Sequence, residues 1–118
     1  MTDNVPTPPI DIRQNEWAIV KRILARHVPE AEVRAFGSRA KRTAKPYSDL
    51  DLAIMSPEPL PPAITAALAD DFSESDLPWK VDIVDWAATN DAFKASISRD
   101  MVVIQQSPAE ATKGAKQP

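Results

Sequence analysis

Asp49 and Asp51 stand on either side of one leucine in the run "SDLDLAIM", just after the basic stretch "SRAKRTAK". If that run is a strand, alternate side chains share a face, and the two carboxylates project together roughly 6 to 7 Å apart. Leu50, Leu52 and Ile54 then face the other way, so one side of the strand is core and the other is acidic. Two carboxylates about 4 Å apart repel by about 1 kcal/mol in water, and by about 4 kcal/mol at an effective dielectric of about 20. An intervening cation removes that penalty. Mg2+ fits such an open site because it takes oxygen ligands, keeps several waters and is commonly held together with a phosphate.

The residues just upstream supply a seat for that phosphate. Gly37 lets the backbone bend closely, and Ser38 can open a short helix whose amides and hydroxyl face an anion. Arg39, Lys41, Arg42 and Lys45 concentrate positive charge on the same connection. An anion seat beside a cation clamp points to a metal–triphosphate site. Two-metal phosphoryl chemistry, with ions about 3.5 to 4 Å apart, needs a further carboxylate. The run "VDIVDW" offers Asp82 and Asp85. In a regular strand they face opposite sides, so at most one joins the acidic face, and periodicity alone does not choose between them.

The elements that must position these groups alternate between helical and strand-like patterns, as in a sheet covered by helices. Trp17, Val20, Ile23, Leu24 and Val28 recur at helical spacing from about Asp11 to Val28, where Pro29 marks the stop. "EVRAFG" and "DLDLAIM" read as the first two strands. Pro61 and Pro62 suit the start of a second long helix carrying Ile64, Leu68 and Phe72 on one stripe. "WKVDIVDW" reads as the third strand. A helix from about Thr89 to Arg99, buried through Phe93 and Ile97, and a last strand "MVVIQ" complete the pattern. His27 is expected to end the first helix. Trp79 and Trp86 are read as core or interface anchors, and Tyr47 as a loop residue.

The 118 residues suffice for one domain. Residues 11–105 form it, with disordered tails expected at 1–10 and 106–118. The chain has no cysteine and one histidine, which excludes a disulfide framework, a thiolate zinc site and a histidine cluster, so any metal is held by oxygen. The net charge of −3 argues against general nucleic-acid binding. No apolar run approaches the roughly 20 residues of a membrane span, and the N-terminus lacks the features of a signal peptide, so a cytoplasmic location is expected.

Gly37-Ser38, ten intervening residues and Asp49-Leu50-Asp51, together with "VDIVDW", resemble the DNA polymerase β-like nucleotidyltransferase superfamily. From about Glu16 to Gln105 the chain is similar to the minimal nucleotidyltransferases paired with HEPN-domain proteins, antitoxins among them. The resemblance implies an α/β (α+β) polymerase β-like fold, a small mixed sheet flanked by helices. It implies transfer of AMP from ATP to a hydroxyl, with release of pyrophosphate and two Mg2+ ions as cofactors. Asp49, Asp51 and Asp82 would be the catalytic, metal-binding carboxylates, and Gly37, Ser38 and Arg39 would bind the nucleotide. Asp85 would be a helix-entry or surface residue. The implied partner is a HEPN-domain protein in a hetero-oligomer, its tyrosine the acceptor. The alternatives are a small-molecule acceptor held by a separate subunit, and a non-catalytic antitoxin that works by binding. Arg42 departs from the family pattern, which usually has glycine there; a turn needing positive φ would strain arginine.

Overall fold

Leu50, Leu52 and Ile54 are fully buried, and the strand they lie on is the centre of the molecule. The computed structural model describes residues 7–108. Their order is α1 (Gln14–His27), β1 (Val33–Phe36), α2 (Ser38–Lys41), β2 (Leu50–Ile54), α3 (Pro62–Ser73), β3 (Val81–Asp85), α4 (Asp91–Ser98) and β4 (Val102–Gln105). A single 3-10 turn, Trp86–Ala88, joins β3 to α4. The four strands form one sheet in the order β3-β2-β1-β4. β1 runs antiparallel to both β2 and β4, whereas β2 and β3 are parallel. Parallel neighbours need a crossover, which α3 supplies. The expected mixed sheet flanked by helices is the observed one.

This connectivity decides which residues meet. Because β2 and β3 are parallel, both strands begin at the same end of the sheet, and because β1 is antiparallel to β2, it finishes at that end. The close of β1 therefore lies beside the openings of β2 and β3. The core cluster joins Trp17, Val20, Ile23 and Leu24 of α1 with Leu68 and Phe72 of α3 and with Val33, Ala35, Leu50, Leu52 and Ile54 of the sheet. Long-range polar contacts tie the covering elements. His27 Nε2 lies 2.8 Å from Asp71 Oδ2, linking the end of α1 to α3. Gln105 of β4 donates to the carbonyls of Val28 and Ala31, both at 2.8 Å. Among the described residues no helix is long and apolar enough to cross a membrane.

Two expectations need correction. Ile10 lies in the stretch read as a tail, yet it is fully buried in the core cluster, and Pro8 is buried as well. A lone isoleucine among prolines has no period to betray it, but a bend whose Asp11 N–H donates to the Arg39 carbonyl at 2.8 Å seats it there. The rest of the expected tails, residues 1–6 and 109–118, lie outside the described residues. The second correction concerns α4. The helix forms where expected, capped by Asn90 Oδ1 accepting from the Phe93 N–H at 2.8 Å, but none of its residues is buried. Phe93 is 40% exposed, resting edge-on against Phe36 with ring centroids 6.2 Å apart. The amphipathic pattern is real, but this face of the sheet is only partly covered.

Leu68→Ala should lower the unfolding free energy by about 2 to 5 kcal/mol, because Leu68 is fully buried in the core cluster and its truncation opens a cavity there. Phe93→Ala should lower it by about 1 kcal/mol or less, the scale of one aromatic pair. Urea denaturation of both variants checks the contrast.

Candidate active site

Pairing across the sheet aligns Phe36, Asp51 and Asp82 in one row, with Phe36 opposite Asp51 on one side and Asp82 opposite it on the other. Partners in register share a sheet face, so Asp51 and Asp82 are neighbours on the face away from Leu50 and Leu52. Asp85 pairs with Ile54 and belongs to the helix-covered face. Its Oδ2 accepts from the Leu60 N–H at 2.9 Å, and Thr89 Oγ1 donates to its carbonyl at 2.8 Å. Its Oδ1 is buried with no hydrogen-bond partner among the described residues. Asp85 thus holds the β2–α3 connection and the entry to the 3-10 turn. Register, not periodicity, separates the two aspartates.

Asp49 is exposed and immediately precedes β2. Asp51 is half-buried, and its carboxyl is raised above its ordinary value of 3.8, first by burial, then by the charge of Asp82 and then by that of Asp49. Asp51 therefore feels the charge of both neighbouring acids. Among the described residues, no group of three or more acidic or imidazole side chains is arranged to hold a metal ion by itself. Mg2+ does not require one, since it usually binds one or two carboxylates, several waters and substrate phosphates. Hard oxygen donors, mutual repulsion and partial burial fit that ion. Lys80, which the sequence reading did not single out, places its Nζ 3.7 Å from Asp82 Oδ1. Both side chains are exposed, so this pair is weak. Its signal was the Lys-x-Asp alternation along β3.

Gly37 closes β1 with φ 78° and ψ −161°, a combination that only glycine adopts readily. A Cβ there would overlap Asp51 Oδ2. The Gly37–Ser38 turn thus presses its backbone directly against the Asp51 carboxylate. Arg42 ends α2 in the left-handed region at φ 61°, the strained geometry foreseen for that position. That conformation costs an L-residue about 1 to 2 kcal/mol, and a bond from Arg42 Nη2 to the Pro8 carbonyl at 2.9 Å offsets part of it.

Arg39 is not at the anion seat. Only 5% exposed, it donates to the carbonyls of Asp11, Lys45, Pro46 and Ser48, and its guanidinium stacks over Trp79. With its donors engaged by backbone oxygens, it has no free fork for a triphosphate. Trp79 is in the core, and Tyr47 is 88% exposed. A cavity of about 580 Å³, lined by His27, Glu32, Met55 and Leu60 among others, opens at the opposite end of β1 and β2. The three carboxylates do not line it; Asp49 is exposed and Asp51 and Asp82 are partly exposed.

A sheet of this topology with a glycine turn against paired aspartates defines a class of phosphoryl-transfer fold. The nucleotidyltransferase domain family matches residues 18–107, and the chain belongs to it. The protein is similar to the probable protein adenylyltransferase MntA of Haemophilus influenzae, 55% identical over 97 residues that span 82% of this chain and 85% of that relative. Its fold is similar to that of a toxin–antitoxin crystal structure with AMP-PNP, with a TM-score of 0.66 at 20% identity over 84% of this chain and 80% of the other. It is also similar to the structure of a tri-AMPylated Shewanella oneidensis HEPN toxin in complex with MNT antitoxin. There the TM-score is 0.62 at 18% identity over 88% and 81% of the two chains. This protein is accordingly a nucleotidyltransferase.

The raised Asp51 pKa has a thermodynamic consequence. Its folded value exceeds the unfolded one, so its contribution to stability is fully present below pH 3.8 and is lost as pH rises through the raised value. Asp51→Asn should therefore raise Tm at pH 7, with the gain fading as pH falls toward and below 3.8. Thermal melts of both proteins across that range check the sign.

Proposed function

We propose that this protein is a magnesium-dependent adenylyltransferase that moves AMP from ATP to a tyrosine hydroxyl of a HEPN-domain partner, in an antitoxin-type hetero-oligomer. The observation that carries the reading is the side-by-side pairing of Asp51 with Asp82, with the Gly37 backbone against Asp51. Protein adenylylation is supported by the 55% identical relative, and a HEPN acceptor by the AMPylated toxin seen with a protein of the same fold. The tyrosine follows from the family resemblance.

Asp49, Asp51 and Asp82 would hold Mg2+, which when bound supplies charge for the α-phosphoryl oxygens and the departing pyrophosphate. The Gly37–Ser38 turn would seat the β- and γ-phosphates, its lack of a Cβ allowing close approach. The acceptor oxygen attacks the α-phosphorus. A P–O bond forms to that oxygen, the bond from the α-phosphorus to the bridging oxygen breaks, and pyrophosphate leaves with the electron pair. The acceptor proton passes toward the Asp82 carboxylate. The partial burial of Asp51 strengthens its interaction with cationic charge relative to an exposed acid. Arg39 is left out of the nucleotide contacts, because its guanidinium is committed to the protein's own carbonyls.

Incubating a candidate HEPN-domain partner with this protein, Mg2+ and ATP should add the mass of one or more AMP groups to the partner, read by intact-mass spectrometry. Asp49→Asn, Asp51→Asn and Asp82→Asn should each slow transfer by about 10²- to 10³-fold, the scale of losing one preorganised electrostatic group. Asp85→Asn should transfer near the wild-type rate, since an amide oxygen still accepts from Leu60. Equal loss in Asp85→Asn would reject Asp82 as the third carboxylate. Neutralisation of the partner with no mass change in the wild type would favour action by binding alone.

A further inference from the structure

We infer that Arg39 is the positioning residue that fixes the spacing of the carboxylate strands against the glycine turn, an inference that rests on the proposed adenylyl transfer. One buried guanidinium connects three parts of the site. Arg39 follows Gly37 by two positions on α2. Its Nε donates at 3.0 Å to the carbonyl of Ser48, the residue directly before Asp49, and its Nη2 reaches the carbonyls of Lys45 and Pro46, both at 3.3 Å. Its planar face lies 4.5 Å from the ring centroid of Trp79, three residues before Asp82. Its Nη1 also donates to the Asp11 carbonyl at 2.9 Å, while the Asp11 N–H returns a bond to the Arg39 carbonyl at 2.8 Å.

Among the described residues no carboxylate forms an ion pair with this cation within 4.0 Å, although it is 5% exposed. Backbone carbonyl dipoles and an indole face solvate it instead. Removing the guanidinium would leave the carbonyls of Asp11, Lys45, Pro46 and Ser48 without this donor and so cost stability as well, which is why rate and metal affinity are read beside Tm. What the guanidinium supplies is a rigid planar fork that fits several carbonyls at fixed angles, while one face stacks on an aromatic ring. Lysine keeps the charge and loses the fork. The segment between α2 and β2 has no regular secondary structure, and Arg39 holds three of its carbonyls. The segment ends on Asp49. Displacing reacting groups by about 1 Å is enough to reduce a rate by about 10²-fold.

The test uses the full chain with its HEPN partner, comparing wild type, Arg39→Lys, Arg39→Ala and Trp79→Phe by steady-state AMP transfer and by Mn2+ affinity from EPR. Arg39→Lys should reduce kcat by about 10²-fold with little change in KM for ATP, and should weaken Mn2+ binding while the circular dichroism spectrum is kept. Arg39→Ala should regain activity with millimolar guanidinium and not with methylammonium; a purely structural residue would lower Tm without either effect. Trp79→Phe, which keeps an aromatic face, should retain most of the activity even if Arg39→Ala fails to fold. A wild-type kcat in Arg39→Lys would overturn the inference, and so would a rise in KM alone, which would make Arg39 a nucleotide contact. If the wild type transfers no AMP, the adenylyl-transfer reading fails, and unchanged Mn2+ affinity in Arg39→Lys then overturns the positioning role independently.

Discussion

The in-register parallel pairing of β2 with β3 is the constraint on which the site depends. It sets Asp51 beside Asp82 and sends Asp85 to the opposite face, where it serves the backbone of Leu60. A slip of one residue would put Val81 or Ile83 next to Asp51 and turn the buried side of β3 outward. The apolar face resists that slip, since Leu50, Leu52 and Ile54 are all fully buried. The core therefore maintains the acid pair. Burial of Asp51, and after it the like charges of Asp82 and Asp49, disfavour its ionised form in the folded state and raise its pKa. Burial on one side of the strand makes repulsion on the other side tolerable, and that repulsion is what a cation relieves.

Around this pair the neighbouring segments act as fixtures. Gly37 brings backbone against the Asp51 carboxylate because it lacks the Cβ that would collide with it. α2 ends at Arg42 in a left-handed conformation, and the irregular segment Pro8–Ile12 is tied to it through bonds to Arg39 and Arg42. The basic run that looks like one phosphate-binding patch is thus divided in function. Arg39 faces inward as a strut, and Arg42 ties down the N-terminal segment. The open surface at the carboxylates contrasts with the cavity of about 580 Å³ at the far end of the sheet.

Most of the element order was legible from the sequence because the apolar periods are clean. Alternation through Leu50, Leu52 and Ile54 marked β2, and helical spacing through Trp17, Val20 and Leu24 marked α1. Gly37 was legible as a turn because glycine alone suits that backbone. The choice between Asp82 and Asp85 was not, since a period of two says only that they oppose one another; the pairing partner decides, and that is a long-range fact. The burial of Arg39 was hidden for the same reason. Its acceptors, Asp11 and Ser48, are 28 and 9 residues away, and in sequence it is one more basic residue in a basic run. Phe93 misled in the opposite direction: its amphipathic spacing predicts a covered face, whereas the structure leaves it partly exposed against Phe36.

The most direct test of the shared-cation geometry is anomalous diffraction from crystals soaked with Mn2+ and a non-hydrolysable ATP analogue. The account predicts anomalous peaks about 2 Å from carboxylate oxygens of Asp49, Asp51 and Asp82, with the triphosphate beside Gly37 and Ser38. A metal bound at Asp85, or a triphosphate seated away from the Gly37–Ser38 turn with Asp51 and Asp82 uncoordinated, would contradict it.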